Sequence, residues 1–578
     1  MYQPTENPAI TRHFANLGDR QLHFRLAGSG PPLVLLHQSP TSSAEMATDI
    51  EVCAHSFTVI AIDLPGYGLS DPLPDEHPDI GQFADDVERV VSTLGLDRVL
   101  LYGFHTGAVV AFEFACRYPE RCAGAVVNGL VCIEGDELDD LLEHYNVLPD
   151  VTAEGAHLPW LWARLRDQSL FFPWYRKTPD ARMALDLHDG AYLHPYLVDF
   201  LRAKEGGRPG YQAAFSYPTR ERAPEIRAPV YLVNFEPDPL TTHPERVSAF
   251  PSCVSREIFG DFTALHRSAM AYLRARAPAD VDVPRRSVGE FTGAWQKETV
   301  NTDAGPVCIR CAGSGADGAI LLLHDAGSSS MALAPLSRRL ADEFDGRRRI
   351  LCIDLPGHGD TGELHLPAYN ADSVAILVGL VLGALELRSV DIVAIGASAP
   401  IACALASGRE TAVGKMILID PWVFGEEERQ HLSESCAPKM MPGDYGQHLL
   451  EAWYYARDSE LYWPWNEPHP QNALTRPPDI DPEHVQARTV DVLKAGIAFP
   501  KLVRDLLSAD CGRAFATLDC EIVIGARAGN GHEVRARETA DLNPRARYRR
   551  LAPDAGRWCG EAARLLKPGS GIGHNTAI

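Results

Sequence analysis

Short apolar runs alternate with longer amphipathic stretches along most of the chain. In the first half, the apolar runs at 33–36 and 58–62 and the run that begins at 99 predict buried strands. The pattern over 83–94 predicts a helix just before the third of these runs. Strands that alternate with helices are typical of a mostly parallel sheet covered on both faces. The hydrophobic pattern therefore predicts an α/β fold.

The second half of the chain repeats the order of the first. An Asp-Leu-Pro-Gly-x-Gly turn at 63–68 recurs at 354–359, and a strand–turn–helix segment at 100–107 recurs at 393–400. Such internal repetition predicts two duplicated domains, each with a helical, aromatic-rich insertion late in its order. The predicted segments are domain 1 (1–280, cap about 134–227), a linker (281–295), domain 2 (296–567, cap about 422–517) and a loose tail (568–578).

Composition narrows the classes of partner. The 578 residues carry a formal net charge of −23, which argues against nucleic acid and anionic membranes as partners. The first fourteen residues lack an apolar core like that of a signal peptide, and no apolar run reaches the roughly 18 residues of a membrane span. The thirteen scattered cysteines predict reduced thiols in the cytoplasm, with Cys308 and Cys311 as ordinary strand residues. No dinucleotide fingerprint or phosphate loop is present, so we expect no cofactor. A small-molecule substrate is the expected partner, and a homo-oligomer stays open.

Residues at the ends of the predicted strands carry a family resemblance. His37-Gln38-Ser39-Pro40 follows the strand at 33–36, an Asp-x-Pro-Gly-x-Gly turn follows the next strand, and a Gly-rich turn opens a helix about 40 residues later. Together with the late insertion, this order resembles the α/β-hydrolase fold, twice over. The resemblance implies two fused α/β-hydrolase domains, each a mostly parallel sheet flanked by helices with a helical cap insertion. It also implies a catalytic side chain at the Gly-rich turn, backbone N–H donors for an oxyanion, a late acid and a histidine near the domain's end.

In the first half, this resemblance places His105 where the family usually has serine. Asp238 then corresponds to the acid and His266 to the late histidine, while His37, Gln38 and Thr106 belong to the oxyanion and substrate-binding region. His105 cannot form an acyl-serine ester, but an imidazole can act as general acid or base near neutral pH. The alternative is a site that has lost its chemistry. His37, His105, Asp238 and His266 are also imaginable as metal ligands, but no metal-ligand spacing supports this and we expect no metal.

In the second half, the match with 100–107 places Ser398 at the turn, without its partners. Ala528 stands where the acid is expected and Arg557 where the histidine is expected, although Asp420 could supply an acid and His532 is near. A serine without a base is a poor nucleophile at neutral pH. Three alternatives stay open for the second half: a degenerate copy, a site with some Ser398 chemistry, and a composite site in which residues of the other half complete Ser398.

Both caps repeat a Trp-x-x-x-Arg-Asp motif. Trp162 and Arg166 are four residues apart, as are Trp453 and Arg457, so each pair falls on one helix face. Such a face can cover a pocket, with Arg166 and Trp162 binding substrate, or it can simply pack the cap.

The sequence thus predicts a hydrolase-like enzyme with its pocket in domain 1. The expected substrate is a small, partly apolar carbonyl compound such as an ester, a lactone or a compound cleaved at a C–C bond. Either His105 or His266 would activate water, while the N–H groups of Gln38 and Thr106 would hold the oxyanion. The alternatives are a lyase that uses histidine acid–base chemistry, a non-catalytic binding protein, and a Ser398-dependent esterase in domain 2.

Overall fold

The chain folds into two compact units. The computed structural model describes residues 9–408 and 410–567; the predicted tail at 568–578 lies outside the described residues. Unit 1 contains residues 9–150 and 157–293, and unit 2 contains residues 151–156 and 294–567. Most of the segment expected as a linker therefore belongs to unit 1, where the N–H of Val288 donates to the carbonyl of Phe14 at 2.9 Å.

Unit 1 is built on an eight-stranded sheet in the order β1-β2-β4-β3-β5-β6-β7-β8. β1 and β2 pair antiparallel, as do β2 and β4, and the remaining neighbours are parallel. The strands are β1 (Thr11–Asn16), β2 (Gln21–Ala27), β3 (Pro32–Leu36), β4 (Thr58–Ile62), β5 (Val99–Phe104), β6 (Cys122–Asn128), β7 (Val230–Phe235) and β8 (Val254–Phe259).

Helices cover both faces of this sheet, and the segment between β6 and β7 forms the cap. The helices are α1 (Ala47–Cys53), α2 (Ile80–Thr93), α3 (Thr106–Arg117), α4 (Gly135–His144), α5 (His157–Gln168), α6 (Gly190–Arg202), α7 (Arg208–Phe215), α8 (Thr219–Arg222) and α9 (Phe262–Arg274). β3 and β4 are buried along their whole length, as parallel central strands covered on both faces require. α2 begins with a capping box between Asp79 and Gln82.

Unit 2 repeats the architecture with the order β9-β10-β12-β11-β13-β14-β15-β16. Its strands are β9 (Gln296–Thr302), β10 (Gly305–Ala312), β11 (Ala319–Leu323), β12 (Arg349–Ile353), β13 (Ser389–Ile395), β14 (Ala412–Ile419), β15 (Glu521–Arg527) and β16 (Ala546–Leu551). Its helices are α10 (Ala334–Glu343), α11 (Ala371–Ala384), α12 (Ala399–Ser407), α13 (Glu426–Ser435), α14 (Gln447–Asp458), α15 (Pro482–Ala495), α16 (Ala498–Leu507), α17 (Cys511–Ala516), α18 (Glu533–Asp541) and α19 (Ala555–Leu565).

In unit 2 the helices from α13 to α17 lie between β14 and β15, as the cap of unit 1 lies between β6 and β7. The predicted fold class is therefore confirmed in each unit: a mostly parallel sheet flanked by helices, with a helical insertion. Among the described helices, none combines the length and apolar character that crossing a membrane requires.

Candidate active site

A tight turn between β5 and α3 projects His105 from the sheet. Its backbone angles are φ 47° and ψ −109°, a conformation that non-glycine residues rarely adopt. Gly103 and Gly107 flank the turn because the backbone is crowded there: a Cβ on Gly103 would lie 2.1 Å from the carbonyl oxygen of Gly107. Gly129 leaves room for the imidazole itself, since a Cβ there would lie 2.5 Å from His105 Cδ2. The neighbouring backbone is thus shaped around one side chain.

Both ring nitrogens of His105 face oxygen atoms. Nε2 lies 2.7 Å from Asp238 Oδ2, and Nδ1 lies 3.0 Å from Gln38 Oε1. The ring also stacks on Phe104 with centroids 4.0 Å apart. Asp238 follows β7, as predicted for the acid, and it contacts the turn histidine directly. The two residues form a dyad whose orientation is fixed on three sides.

The carboxylate of Asp238 is held in its ionised form. Burial alone would raise its pKa, but the charge and hydrogen bond of His105 and the N–H of Leu240, at 2.8 Å, lower the pKa below its usual value. Nearby His243 accepts the N–H of Cys132 at Nδ1, and burial lowers its pKa to about 4, so His243 is neutral at pH 7. Asp238 therefore has one partner that can carry a proton into the site, His105.

A cavity of about 270 Å³ lies over His105 and Asp238. The cap supplies much of its wall, mainly aromatic side chains and amides that include Tyr145, Gln168, Tyr192, Tyr196 and Tyr211. A mostly apolar cavity with a few converging polar groups is the usual form of a small-molecule site.

The polar groups in the cap wall are oriented by a buried arginine. Arg164 lies over the rings of Tyr145 and Trp174, and its guanidinium donates to Gln168 Oε1 at 2.9 Å. Gln168 Nε2 in turn lies 3.0 Å from the hydroxyl of Tyr196. Sequence reasoning missed Arg164, which carries no motif; its only signal is an arginine on the apolar side of a helix.

Trp162 and Arg166 do not line this cavity. Trp162 is buried within α5; the residues of this segment that reach the cavity are Leu165 and Gln168 of α5 and Ser169 just beyond its end. The cap wall is therefore formed by sequence neighbours of Trp162 and Arg166, not by the predicted pair itself.

His266 is also placed outside the cavity. It lies on α9, with Nε2 3.3 Å from Asp49 Oδ1 and its ring against Phe262 and Tyr102. It does not contact His105 or Asp238, so the two predicted histidines do not share a proton path through direct contact. In the described parts of the chain, no group of three His, Cys, Asp or Glu side chains is arranged to hold a metal ion.

His37 supports the loop from below. Its Nδ1 donates to the carbonyl of Gln38 at 2.7 Å, and its Nε2 accepts the N–H of Leu64 at 2.8 Å. The side chain is fully buried, and burial lowers its pKa. Thr106 likewise turns its hydroxyl away from His105, donating to Ser39 Oγ at 3.0 Å. His37 therefore positions the loop without lining the cavity, whereas Thr106 lines the cavity and contacts the loop through its hydroxyl.

The equivalent turn in unit 2 has Gly396 at the position of His105. Leu36 pairs with Gly103 in unit 1, and Leu323 pairs with Ala394 in unit 2, so the sheet register fixes this equivalence. Gly396 has φ 57° and follows His105 by 291 residues, the same spacing that separates Asp354 from Asp63. The predicted match of Ser398 with His105 is therefore displaced by two residues.

Ser398 instead takes the place of Gly107 at the start of a helix. Its φ is −80°, and its side chain is buried with Oγ 3.1 Å from the carbonyl oxygen of Leu323 and 2.9 Å from that of Ile395. A hydroxyl in this position is engaged with the backbone, without a base beside it. The structure contradicts its predicted placement as the exposed residue of the turn.

Asp325 occupies the space above Gly396. A Cβ on Gly396 would lie 2.3 Å from Asp325 Oδ1, and that oxygen accepts the N–H groups of Ala397 at 2.8 Å and Ala326 at 2.9 Å. These two N–H groups converge on one oxygen, which is the geometry of an oxyanion hole. Burial raises the pKa of Asp325 to about 6, while the two N–H groups and the charges of Arg527 and Arg488 lower it.

This convergence identifies the matching donors in unit 1. Ala326 follows His324 by two residues, as Ser39 follows His37, and Ala397 follows the turn residue as Thr106 does. The N–H groups of unit 1 that match this pair are those of Ser39 and Thr106, and the Ser39 N–H donates to Thr106 Oγ1 at 3.3 Å. The predicted donor Gln38 is engaged elsewhere, because its N–H donates to Glu45 Oε1 at 3.0 Å.

The acid and histidine positions of unit 2 have lost their chemistry. β15 extends to Arg527, so the residue matching Asp238 is Asn530, not Ala528. Asn530 donates to Asp420 at 2.8 Å, and Asp420 also pairs with Arg527. Arg557 is exposed near Asp554 on α19, while His532 lies against Trp463 with its pKa lowered to about 4 by burial. Asp420 thus serves an ion pair and not a triad.

Two family models match the chain. The model described as alpha/beta hydrolase fold matches residues 31–150, and the model described as Alpha/beta hydrolase family matches residues 320–564. Curated relatives match over a shorter stretch. A soluble epoxide hydrolase of Corynebacterium sp. (strain C12) is 45% identical over 106 residues, 18% of this chain and 37% of that protein. A 2-(acetamidomethylene)succinate hydrolase of Mesorhizobium japonicum is 30% identical over 148 residues, 25% of this chain and 53% of that protein.

The chain therefore spans about half or less of the length of these curated relatives. Among solved structures, epoxide hydrolase A from Mycobacterium thermoresistibile is 17% identical, with a TM-score of 0.38 over 47% of this chain and 99% of that one.

Proposed function

Starting from a chain of the α/β-hydrolase family that carries the fold in each half, we propose that unit 1 is the active half. It hydrolyses a small, partly apolar molecule that bears an ester, lactone or activated C–C carbonyl, with His105 as the proton-transfer residue. One observation carries this proposal. The imidazole projects from a strained turn towards a cavity, and its Nε2 lies 2.7 Å from the carboxylate of Asp238.

The backbone strain supports a chemical role for His105. A non-glycine residue in a rarely populated conformation costs of the order of 1–3 kcal/mol and persists where its surroundings enforce it. Unit 2, whose hole is filled by Asp325, has glycine at this position and avoids that cost. Histidine at the same turn in unit 1 lowers the stability of the fold without any structural gain. Because its side chain faces the cavity, we attribute its presence to chemistry.

The dyad suggests how the reaction proceeds. Asp238 accepts the N–H at Nε2 and stabilises positive charge on the ring, which leaves Nδ1 to face the substrate once Gln38 gives way. Nδ1 takes a proton from water while the water oxygen bonds to the carbonyl carbon. The N–H of Thr106 holds the resulting oxyanion, joined by the N–H of Ser39 once it turns from Thr106 Oγ1 to the substrate. The intermediate then collapses, the bond to the leaving group breaks, and the leaving group takes the proton from Nδ1.

The first test compares wild type with His105→Ala on small esters, lactones and diketones. General base catalysis is worth roughly 10²–10⁴-fold, so we expect kcat/KM to fall by that factor with an unchanged circular dichroism spectrum. His144→Gln is the matched control, a half-exposed histidine of the same unit beside Asp140. Turnover retained by His105→Ala would overturn the proposal.

Product analysis separates the remaining chemistries. In ¹⁸O-labelled water, hydrolysis places one labelled oxygen in the acid product, whereas a lyase reaction that eliminates or decarboxylates does not. Ligand binding by calorimetry without any turnover in wild type would favour the binding-protein alternative over hydrolysis. The expected cytoplasmic location stays a prediction.

A further inference from the structure

Glu45 is connected to His105 through a single side chain. Gln38 Oε1 lies 3.0 Å from His105 Nδ1, and Gln38 Nε2 donates to Glu45 Oε2 at 3.1 Å. The backbone N–H of Gln38 donates to the other carboxylate oxygen, Oε1, at 3.0 Å. The Glu45 carboxylate therefore binds two nitrogen atoms of one residue, and nothing in the sequence motifs accounts for it.

This double contact fixes which way the Gln38 amide points. An ionised carboxylate only accepts hydrogen bonds, so it holds the amide nitrogen and turns the amide oxygen towards His105. An oxygen facing Nδ1 requires an N–H there. Because Asp238 requires a second N–H at Nε2, the arrangement suits a doubly protonated ring, which cannot act as a base.

Protonation of Glu45 reverses the requirement. Its new O–H donates to Gln38 Oε1 once the amide has turned over, and the amide nitrogen then faces His105. Nδ1 must now accept a hydrogen bond, so the ring is neutral and ready to take a proton. The two arrangements hold the same number of protons: one proton leaves Nδ1 and one is gained by Glu45, by exchange with water.

We propose that Glu45 is a positioning residue that sets, through the Gln38 amide, whether His105 Nδ1 donates or accepts a hydrogen bond. The catalytic consequence rests on the proposed function, whereas the hydrogen-bond switch itself does not. Glu45 lies in the same loop as Ser39, which we propose as an oxyanion donor. The protonation state of the base is thereby linked to the loop that holds the substrate.

The surroundings of Glu45 allow its proton to exchange near neutral pH. The side chain opens into a second cavity of about 520 Å³ that shares Gln38 with the first. Glu45 is exposed to solvent, and desolvation of its carboxylate by the neighbouring residues, together with the charge of Asp199, raises its pKa to about 7, against hydrogen bonds from Thr41 and Gln38 that lower it. The titratable groups that face this carboxylate or line its cavity are Asp49 of α1, Tyr102 of β5, Asp199, Tyr192 and Tyr196 of α6, and Tyr211 of α7.

Glu45→Gln tests the switch because it imitates the protonated acid. The Gln38 N–H still needs an acceptor, which the new amide oxygen supplies, so the new amide nitrogen must face Gln38 Oε1. That contact turns the Gln38 nitrogen towards His105. We expect ¹⁵N spectra of histidine-labelled protein at pH 8 to show Nδ1 of His105 with a proton in wild type and without one in Glu45→Gln. His105→Gln assigns the signals, and Asp49→Asn, a carboxylate of the same cavity paired with His266, is the matched control.

A double-mutant cycle tests the route of the coupling. Gln38→Leu removes the amide, so adding Glu45→Gln to it should leave the Nδ1 signal unchanged. An Nδ1 signal that is the same in wild type and Glu45→Gln overturns the inference. So does a change that persists in the Gln38→Leu background.

Activity separates this inference from the proposed function. If unit 1 is a hydrolase, the acid limb of kcat/KM should move to lower pH by about one unit in Glu45→Gln, since a neutral Nδ1 is the reactive form. A changed Nδ1 signal in a protein without turnover would refute the proposed function and leave the switch standing. Turnover with an unchanged Nδ1 signal would refute the switch alone.

Discussion

Gly396→Ala in unit 2 should be far more destabilising than an ordinary glycine substitution. The new Cβ would lie 2.3 Å from Asp325 Oδ1, closer than real Cβ contacts, and φ is 57°. The left-handed backbone costs about 1–2 kcal/mol for an alanine. Asp325 must also move, and losing one of its two backbone N–H hydrogen bonds costs about 1.5–3 kcal/mol because the acceptor is charged. We therefore expect a loss of about 2.5–5 kcal/mol in the free energy of unfolding of unit 2.

Gly346→Ala is the matched control. Gly346 has φ 63° in the same unit, and no atom lies within 4 Å of its would-be Cβ, so it reports the backbone cost alone. Differential scanning calorimetry measures both variants, and the transition that Gly346→Ala moves identifies unit 2. Each kcal/mol lowers Tm by about 2–4 °C for a domain of this size class.

The cycle with Asp325→Ala decides the cause. Removing the carboxylate gives the new Cβ its space, so the cost of Gly396→Ala should fall to that of Gly346→Ala in the Asp325→Ala background. If Gly396→Ala lowers Tm no more than Gly346→Ala does, or if Asp325→Ala gives no relief, the reasoning about the filled hole is refuted.

Two further outcomes concern Ser398 and Asp238. Ser398→Ala should lower the free energy of unfolding by only about 0.5–1.5 kcal/mol, the contribution of one buried hydrogen bond. A fluorophosphonate should leave Ser398 unlabelled in peptide mass spectrometry, and an adduct there would contradict its buried position. The lowered pKa of Asp238 means that its carboxylate stabilises the fold above about pH 4 and that this stabilisation is lost as the pH falls through the folded-state value. Urea unfolding should therefore show the advantage of wild type over Asp238→Asn shrinking from pH 6 to pH 3, and a constant difference would contradict the sign.

The fold was predictable because its signals are local. Apolar runs, the Asp-x-Pro-Gly-x-Gly turns and the late helical insertions recur in both halves, and the sheets follow them. Asp238 was also predictable, since it stands just beyond a buried strand. Its direct contact with His105 was not, because the two residues are 133 positions apart and no pattern records their distance.

The displacement of Ser398 from the position of His105 shows the limit of local sequence similarity. Aligning Gly103 with Gly396 makes the segments look alike, but pairing across the sheet, Leu323 with Ala394, sets the equivalence two residues away. Register is a property of neighbouring strands, which the segment itself does not contain.

Glu45 escaped sequence analysis for a related reason. It lies seven residues beyond Gln38 in a loop, and a carboxylate there reads as surface charge. Only the folded loop brings it against two nitrogen atoms of Gln38. Asp325 could have been found, since an acid directly after His324 departs from the glutamine of the first half.

The carboxylate of Asp325 is, in effect, a ligand that unit 2 can never lose. A free carboxylate must pay the entropy of association for each binding event, whereas a tethered one is present at an effective concentration fixed by its own backbone. A small carboxylate in solution would therefore compete for the hole that we propose in unit 1 and be kept out of its twin. The chain then contains two copies of the same anion-binding geometry, but only the copy in unit 1 would respond to added anion.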